Sequence, residues 1–182
     1  GDGMTRPNWL GAIVRTCYWL EGESVLDLGC GMLQATGGRF GSRHLAVDAF
    51  EPYRGTLLES ERGPQDGTRI GTLPAALDSI PPKSWDLVLL LDVIEHLDKS
   101  DAMLALTMAR NIARRRIVVY TPDGPCPQIG YDDGHGLNPY HEHRCFFTRD
   151  ELDALGFETT LHETVTLQVV RIMGVFGVLP CA

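Results

Sequence analysis

Two apolar runs, one broken by glycines and the next closed by a carboxylate, restrict this chain more than any other feature. The first lies in SVLDLGCG, where Ser24 to Leu28 leads into Gly29-Cys30-Gly31; the second, HLAVD, ends at Asp48, seventeen residues after Gly31. An apolar run bounded by turn residues reads as a buried strand. Glycines after it let the backbone approach a ligand and offer unpaired N–H groups to it. A carboxylate at the tip of the following strand can accept both hydroxyls of a ribose. The glycines alone would serve equally well as a tight strand-to-helix turn, but Asp48 in the right place favours a site for an adenosine-type ligand.

The dinucleotide fingerprint G-x-G-x-x-G is incomplete here. Gln34 stands where its third glycine belongs, and the next glycine is Gly37. A pyrophosphate site is weakened accordingly.

Downstream, short apolar runs alternate with helical or polar segments, as a wound parallel sheet demands. After an amphipathic first helix at 7–20 come SVLDLG, HLAVDAF, a weak TRIGTL, WDLVLLLDV and RIVVYTP. Several are apolar almost throughout, which suits strands covered on both faces. A helix is expected at 100–113, capped by Ser100, with Met103, Leu104, Leu106 and Ile112 toward the sheet. From 122 to 145 the composition shifts to Gly, Pro, Asp and His, a long loop of the kind that carries function. Thr148 and Glu151 then form a capping box, Gly156 stops that helix, and FETTLHE and VTLQVVRIMG pair antiparallel.

Composition narrows the partners. With 43% hydrophobic and 22% charged residues, the 182-residue chain reads as one domain, 1–182, with a proper core. A formal net charge of −8 disfavours nucleic acid, whose phosphates need a basic face. The run Arg114-Arg115-Arg116 falls at a helix C-terminus, opposite the ligand crevice, and reads as a solvated helix end. Five cysteines without a CxxC pair suggest reduced thiols in a cytoplasmic protein. WLGAIVRTCYWL is too short to span a bilayer and carries Arg15 in its middle.

VLDLGCG, LAVD, SWDLVLLLDVIEHL, RIVVYTP and FFTRDELDALGF together resemble the class I S-adenosylmethionine (SAM)-dependent methyltransferases, over residue 25 to the C-terminus. The likeness is to small single-domain enzymes of the ubiquinone/menaquinone-biosynthesis type, and DVIEHL is its most specific part. The resemblance implies an α/β fold, a three-layer sandwich around a seven-stranded sheet in the order 3-2-1-4-5-7-6 with an antiparallel last strand. It implies that Asp27, Gly29, Cys30 and Gly31 line the methionine end of SAM and that Asp48 and Ala49 hold the ribose. Thr72 and Leu73 would lie near the adenine, and Asp92 and Val93 would border the cofactor. Two departures stand out: Leu33 replaces a further glycine, and Gly71-Thr72 replaces an acidic residue after the third strand. The Gln34-to-Gly41 stretch should make a poor helix, so the first crossover is where the chain should leave the family norm.

The acceptor side centres on histidines. His141 and His143, in the 122–145 loop, and His96, after the fourth strand, are the candidate catalytic bases. Asp132, Asp133, His135 and Glu142 surround them in sequence, but HEH spacing in a loop is a weak metal signal, and no metal site is assigned. Tyr120, Tyr131 and Tyr140 offer an aromatic wall. The expected function is methyl transfer from SAM to a small-molecule or glycan- or lipid-linked acceptor, at oxygen, by a monomer or homodimer. Two alternatives remain: a nicotinamide-dependent enzyme on a similar sheet, and a methyltransferase-like subunit that binds without catalysing, for which the tail RIMGVFGVLP gives some support, although a final sheet strand is the simpler account of that tail.

Overall fold

A computed structural model describes residues 9–33, 35–36, 38–40, 43–58, 63–165 and 171–181. Seven strands form the main sheet: β1 (Val25–Leu28), β2 (His44–Asp48), β3 (Thr68–Ile70), β4 (Trp85–Leu91), β5 (Ala113–Pro122), β8 (Glu158–Val165) and β9 (Arg171–Pro180). Their order is β3-β2-β1-β4-β5-β9-β8. The first five run parallel, and β9 lies antiparallel between β5 and β8. This is the expected order, with β9 as the seventh strand of the sheet. A two-stranded ribbon, β6 (Tyr131–Asp132) with β7 (Leu137–Asn138), is added inside the long loop.

The apolar runs explain the burial. Every residue of β1 and β2 is buried, because helices and apolar loop residues such as Leu33, Phe40 and Phe50 cover both faces. Along β4 and β5, Val88, Leu90, Ile117 and Val119 point to one side, and Leu87, Leu89, Leu91 and Val118 to the other. The first side is covered by α3 (Lys99–Ile112), the second by α1 (Trp9–Ile13) through Leu10 and by Val14 just after it.

Helix α3 begins one residue earlier than expected, with Asp98 rather than Ser100 at its N-cap. Its buried stripe is Ala102, Ala105, Leu106, Ala109 and Ile112, while Leu104 faces solvent at 50% exposure. Small residues at i, i+3 and i+7 let the helix lie close to the sheet, which a reading based on large side chains overlooks. The capping box on α4 (Arg149–Ala154) is present: Thr148 accepts from the Glu151 N–H and Glu151 accepts from the Thr148 N–H. Gly156 follows with φ +93°, the left-handed stop.

The N-terminal helix also departs from expectation. After α1, residues Val14–Tyr18 wind as a π-helical turn closed by the Trp19 N–H to the Val14 carbonyl at 3.0 Å. Expected helix residues Pro7 and Asn8 lie outside the described residues. The first crossover, from Gly29 to Arg43, contains no helix among its described residues, as its glycines predicted; Gln34, Gly37, Gly41 and Ser42 lie outside them. Arg15 organises it instead. Its guanidinium donates to the carbonyls of Thr36 (3.0 Å), Gly38 (2.8 Å) and Arg39 (2.9 Å), and lies 4.2 Å over the Phe40 ring.

One further reading is corrected and one is met. Arg114, Arg115 and Arg116 are not a solvated helix end but the start of β5, paired with Asp86 and with Glu23, itself 4% exposed. The tail RIMGVFGVLP is a final sheet strand, β9, as its simpler account expects, with Val175, Phe176 and Leu179 in the core. Of the expected strand VTLQVVRIMG, Val165 ends β8 and Arg171 begins β9, which pair antiparallel; residues 166–170 lie outside the described set. Among the described residues no helix is long and apolar enough to cross a membrane.

Candidate active site

Because β1, β2, β3, β4 and β5 are parallel, the turns after each of them emerge at one edge of the sheet. Strand order reverses between β1 and β4, and ligands in open α/β sheets bind in the crevice outside such a switch point. The glycine turn after β1 and Asp92-Val93 after β4 meet there. Gly29 has φ +69° and Gly31 φ +51°, conformations that suit residues without a side chain. A Cβ on Gly29 would overlap Val93 Cγ2 and lie 3.0 Å from Cγ1, so β1 and β4 can approach here only across bare backbone. Asp92 is itself left-handed at φ +55°, a strain typical of functional turns.

Asp48, 9% exposed, closes the site on the β2 side. Its Oδ2 accepts the Gly31 N–H at 2.8 Å and its Oδ1 the Phe50 N–H at 2.9 Å. Burial pushes the carboxyl above the usual range, against the pull of these two N–H groups. Each oxygen retains a second lone pair, so two acceptor positions remain. Asp27, 2% exposed, has an Oδ2 without a hydrogen-bond partner among the described residues; the nearest basic group, His44 Nε2, is 3.9 Å away. His44 Nδ1 accepts the Phe40 N–H at 3.2 Å, so Nε2 carries the ring proton and faces Asp27. An orphaned acceptor beside the glycine turn, and a half-satisfied carboxylate beyond it, fit a ligand with an amine at one end and a diol at the other. Thr72 and Leu73 follow β3 at the same edge, Thr72 exposed and Leu73 partly buried.

The long loop after β5 supplies the rest. It leaves at Asp123, which bridges Phe147, and turns through β6 and β7, where Asp132 Oδ1 accepts the N–H groups of Gly134 (2.8 Å) and Gly136 (3.1 Å). It returns along the turn at Ile94–His96: the N–H groups of Arg144 (2.8 Å) and Cys145 (3.1 Å) both donate to the Glu95 carbonyl. That return brings the predicted bases together. The His96 and His143 rings are 4.7 Å apart, and those of His96 and His141 6.4 Å.

Around His141 a polar cluster forms that sequence reading did not contain in full. The hydroxyl of Tyr53, on α2 (Pro52–Leu58), donates to Asp133 Oδ2 and accepts from Asn138 Nδ2 at 3.0 Å. His141 Nε2 lies 3.3 Å from Asp133 Oδ2 and 3.3 Å from the Tyr53 oxygen, and His135 Nδ1 lies 3.3 Å from Asp133 Oδ1. Burial alone would raise the Asp133 carboxyl, but bonds from Tyr53, His141 and His135 outweigh it and hold it below the usual range. Tyr131 stacks on His141 at 4.1 Å with an interplanar angle of 8°. Tyr120 instead packs against Trp9 and Phe176, and Tyr140 is exposed, so only Tyr131 forms a wall here. No sequence signal marks Tyr53 or Asn138, since they join the site only through loop closure.

His96 and His143 are held differently. Burial lowers both; His96, which also feels His143, is depressed to about 4 despite the carbonyls of Glu142 and His141. Glu95 is fully enclosed, and burial followed by the charge of Asp92 pushes its carboxyl well above the ordinary range.

No protein-family model matches the chain, and no curated protein matches it in sequence. Solved structures do match. A SAM-dependent methyltransferase from Methanosarcina mazei aligns at TM-score 0.63 and 14% identity, covering 92% of this chain and 96% of that one. Magnesium protoporphyrin IX methyltransferase from Synechocystis, with bound SAM, aligns at 0.58 and 19%, covering 94% and 76%. The 1,6-didemethyltoxoflavin-N1-methyltransferase of Burkholderia thailandensis, with its substrate and S-adenosylhomocysteine, aligns at 0.61 and 18%, covering 97% and 78%. The chain therefore has the fold of the class I SAM-dependent methyltransferases.

Proposed function

We propose that the protein transfers a methyl group from SAM to an oxygen of a small-molecule or glycan- or lipid-linked acceptor. The observation that carries this reading is the meeting of the bare Gly29–Gly31 turn, Asp48 and Asp92-Val93 at the strand-order switch. In this reading Asp27, Gly29, Cys30 and Gly31 take the methionine end, Asp48 and Ala49 the ribose, Thr72 and Leu73 the adenine, and Asp92 and Val93 the flank. When bound, SAM supplies a methyl group already activated on a sulfonium, so the acceptor needs alignment and, for a hydroxyl, loss of its proton.

His141 is the group suited to take that proton. Its Nε2–H is directed at the Asp133 carboxylate, which fixes the tautomer and leaves Nδ1 as the free lone pair. The proton passes from the acceptor hydroxyl to Nδ1 and then to water. Asp133 and Tyr53 are positioning residues, since they act through His141. A net charge of −8 fits a small acceptor better than nucleic acid.

Calorimetric titration with S-adenosylhomocysteine tests the reading, and binding is expected. Absence of binding, with reduced nicotinamide nucleotide bound instead, would overturn it. Binding without turnover on any hydroxyl, carboxyl or amine acceptor would reduce the protein to a binding subunit.

A further inference from the structure

Beside the crevice, the turn at Ile94–His96 meets the returning loop at His143. Among the described residues, one ligand-type atom from each of Glu95, His96 and His143 lies within 4.8 Å of the other two. We propose that these three side chains bind a divalent transition-metal ion of the zinc class, leaving one coordination position open toward the acceptor side.

The histidines are set for it. His96 Nδ1 lies 3.1 Å from the Glu142 carbonyl oxygen, and His143 Nδ1 is hydrogen-bonded to the Cys126 carbonyl. A carbonyl can only accept, so both Nδ1 atoms carry the hydrogen, and in each neutral ring Nε2 holds the lone pair. Fixing the far nitrogen on a backbone carbonyl is how metal-binding imidazoles are oriented.

The carboxylate supplies a separate indication. Glu95 is 2% exposed; its Oε2 accepts the Thr121 hydroxyl at 3.0 Å, while among the described residues its buried Oε1 meets no N–H or hydroxyl donor of Ser, Thr, Tyr, Asn, Gln, His, Lys, Arg or the backbone. The carboxyl of Asp92 faces it. The neighbouring Asp133 group makes a useful contrast, because its oxygens are already taken by Tyr53, His141 and His135.

The donor set suits the ion. Imidazole with carboxylate matches zinc-like cations, and two histidines with one carboxylate leave a fourth position for water or substrate. Ligand bonds of about 2.0–2.2 Å put tetrahedral donors roughly 3.4 Å apart. A separation of up to 4.8 Å thus needs a contraction of about 1.4 Å, within reach of side-chain rotation.

This site does not rest on the methyl-transfer reading, and its test is metal binding alone. Chelator-treated full-length protein is titrated with Zn²⁺ by calorimetry and with Co²⁺ by visible absorption, with S-adenosylhomocysteine titrated in parallel. One equivalent of metal with a four-coordinate cobalt spectrum is expected. His143→Ala and Glu95→Gln should each weaken it at least tenfold, and His135→Ala should leave it unchanged. Absence of stoichiometric binding overturns the proposal, as does affinity that survives His143→Ala or is lost with His135→Ala. If Glu95→Gln fails to fold by circular dichroism, His143→Ala and His96→Gln decide. Loss of S-adenosylhomocysteine binding with metal binding intact would count against the cofactor reading only.

Discussion

Val93 packs into the space a side chain at Gly29 would need, locking the end of β4 against the turn after β1. Gly29→Ala must therefore both overfill the contact and force a side chain into left-handed backbone. The two costs together should come to about 2–4 kcal/mol of stability. Urea denaturation measures the loss, and adding Val93→Ala should recover the overlap but not the backbone strain.

Asp48 presents the two remaining acceptor positions expected to meet the ribose. Asp48→Ala should weaken S-adenosylhomocysteine by about 1.5–3 kcal/mol in calorimetry, the range for hydrogen bonds to a charged group. Unchanged affinity would remove Asp48 from the site.

Arg15 ties the crossover through three carbonyls. Arg15→Met should destabilise by about 1.5–3 kcal/mol, and Arg15→Lys should fail to restore it, because an ammonium lacks the planar fork that reaches several acceptors at once. Denaturant midpoints of the three proteins decide this. A full rescue by lysine would show that charge, not geometry, matters.

The half-buried imidazole of His96 links stability to pH. Its folded value is about 4, below the unfolded value of about 6.5, so the unfolded chain binds more protons between them. Stability from this group is complete above about pH 6.5 and is lost as pH falls toward 4, by about 3 kcal/mol in all. His143 acts in the same direction and Glu95 in the opposite one. Comparing wild type with His96→Gln in chelator isolates the first: the wild-type advantage should shrink as pH falls from 7 to 4. A constant difference would mean His96 does not titrate in that window.

For His141, turnover should fall about 10²–10⁴-fold on substitution by alanine, the usual worth of a general base, while S-adenosylhomocysteine binding stays intact. Asp133→Asn should shift the pH profile of the reaction without that full loss. A His141→Ala protein that no longer folds would instead assign the ring a structural role.

Much of the frame was readable from residue order. Strands β1, β2, β4 and β5 are apolar on both faces, and Asp48 and Asp92 punctuate strand ends, so topology carried the Gly29, Gly31 and Asp48 positions to one edge. The capping box at Thr148 was equally plain, since both of its partners are local. What failed depended on contacts distant in sequence. Helix α3 turns an alanine stripe inward, and size-based reasoning placed Leu104 there instead. The arginines at the start of β5 pair with Glu23 and Asp86 from other elements. Tyr53 and Asn138 reach His141 across a loop whose path no periodicity encodes, and Glu95 gains its interest only when His143 returns to it.

The placement of β9 bears on how the chain is made. Strand β8 leaves the ribosome before β9 yet lies outside it, so until residue 180 has emerged β8 has no neighbour and β5 has a bare edge carrying Ile117, Val118 and Val119. Such an unpaired apolar edge is a template for association with other nascent chains. Pairing of β9 is therefore the single step that both covers the β5 edge and gives β8 its neighbour.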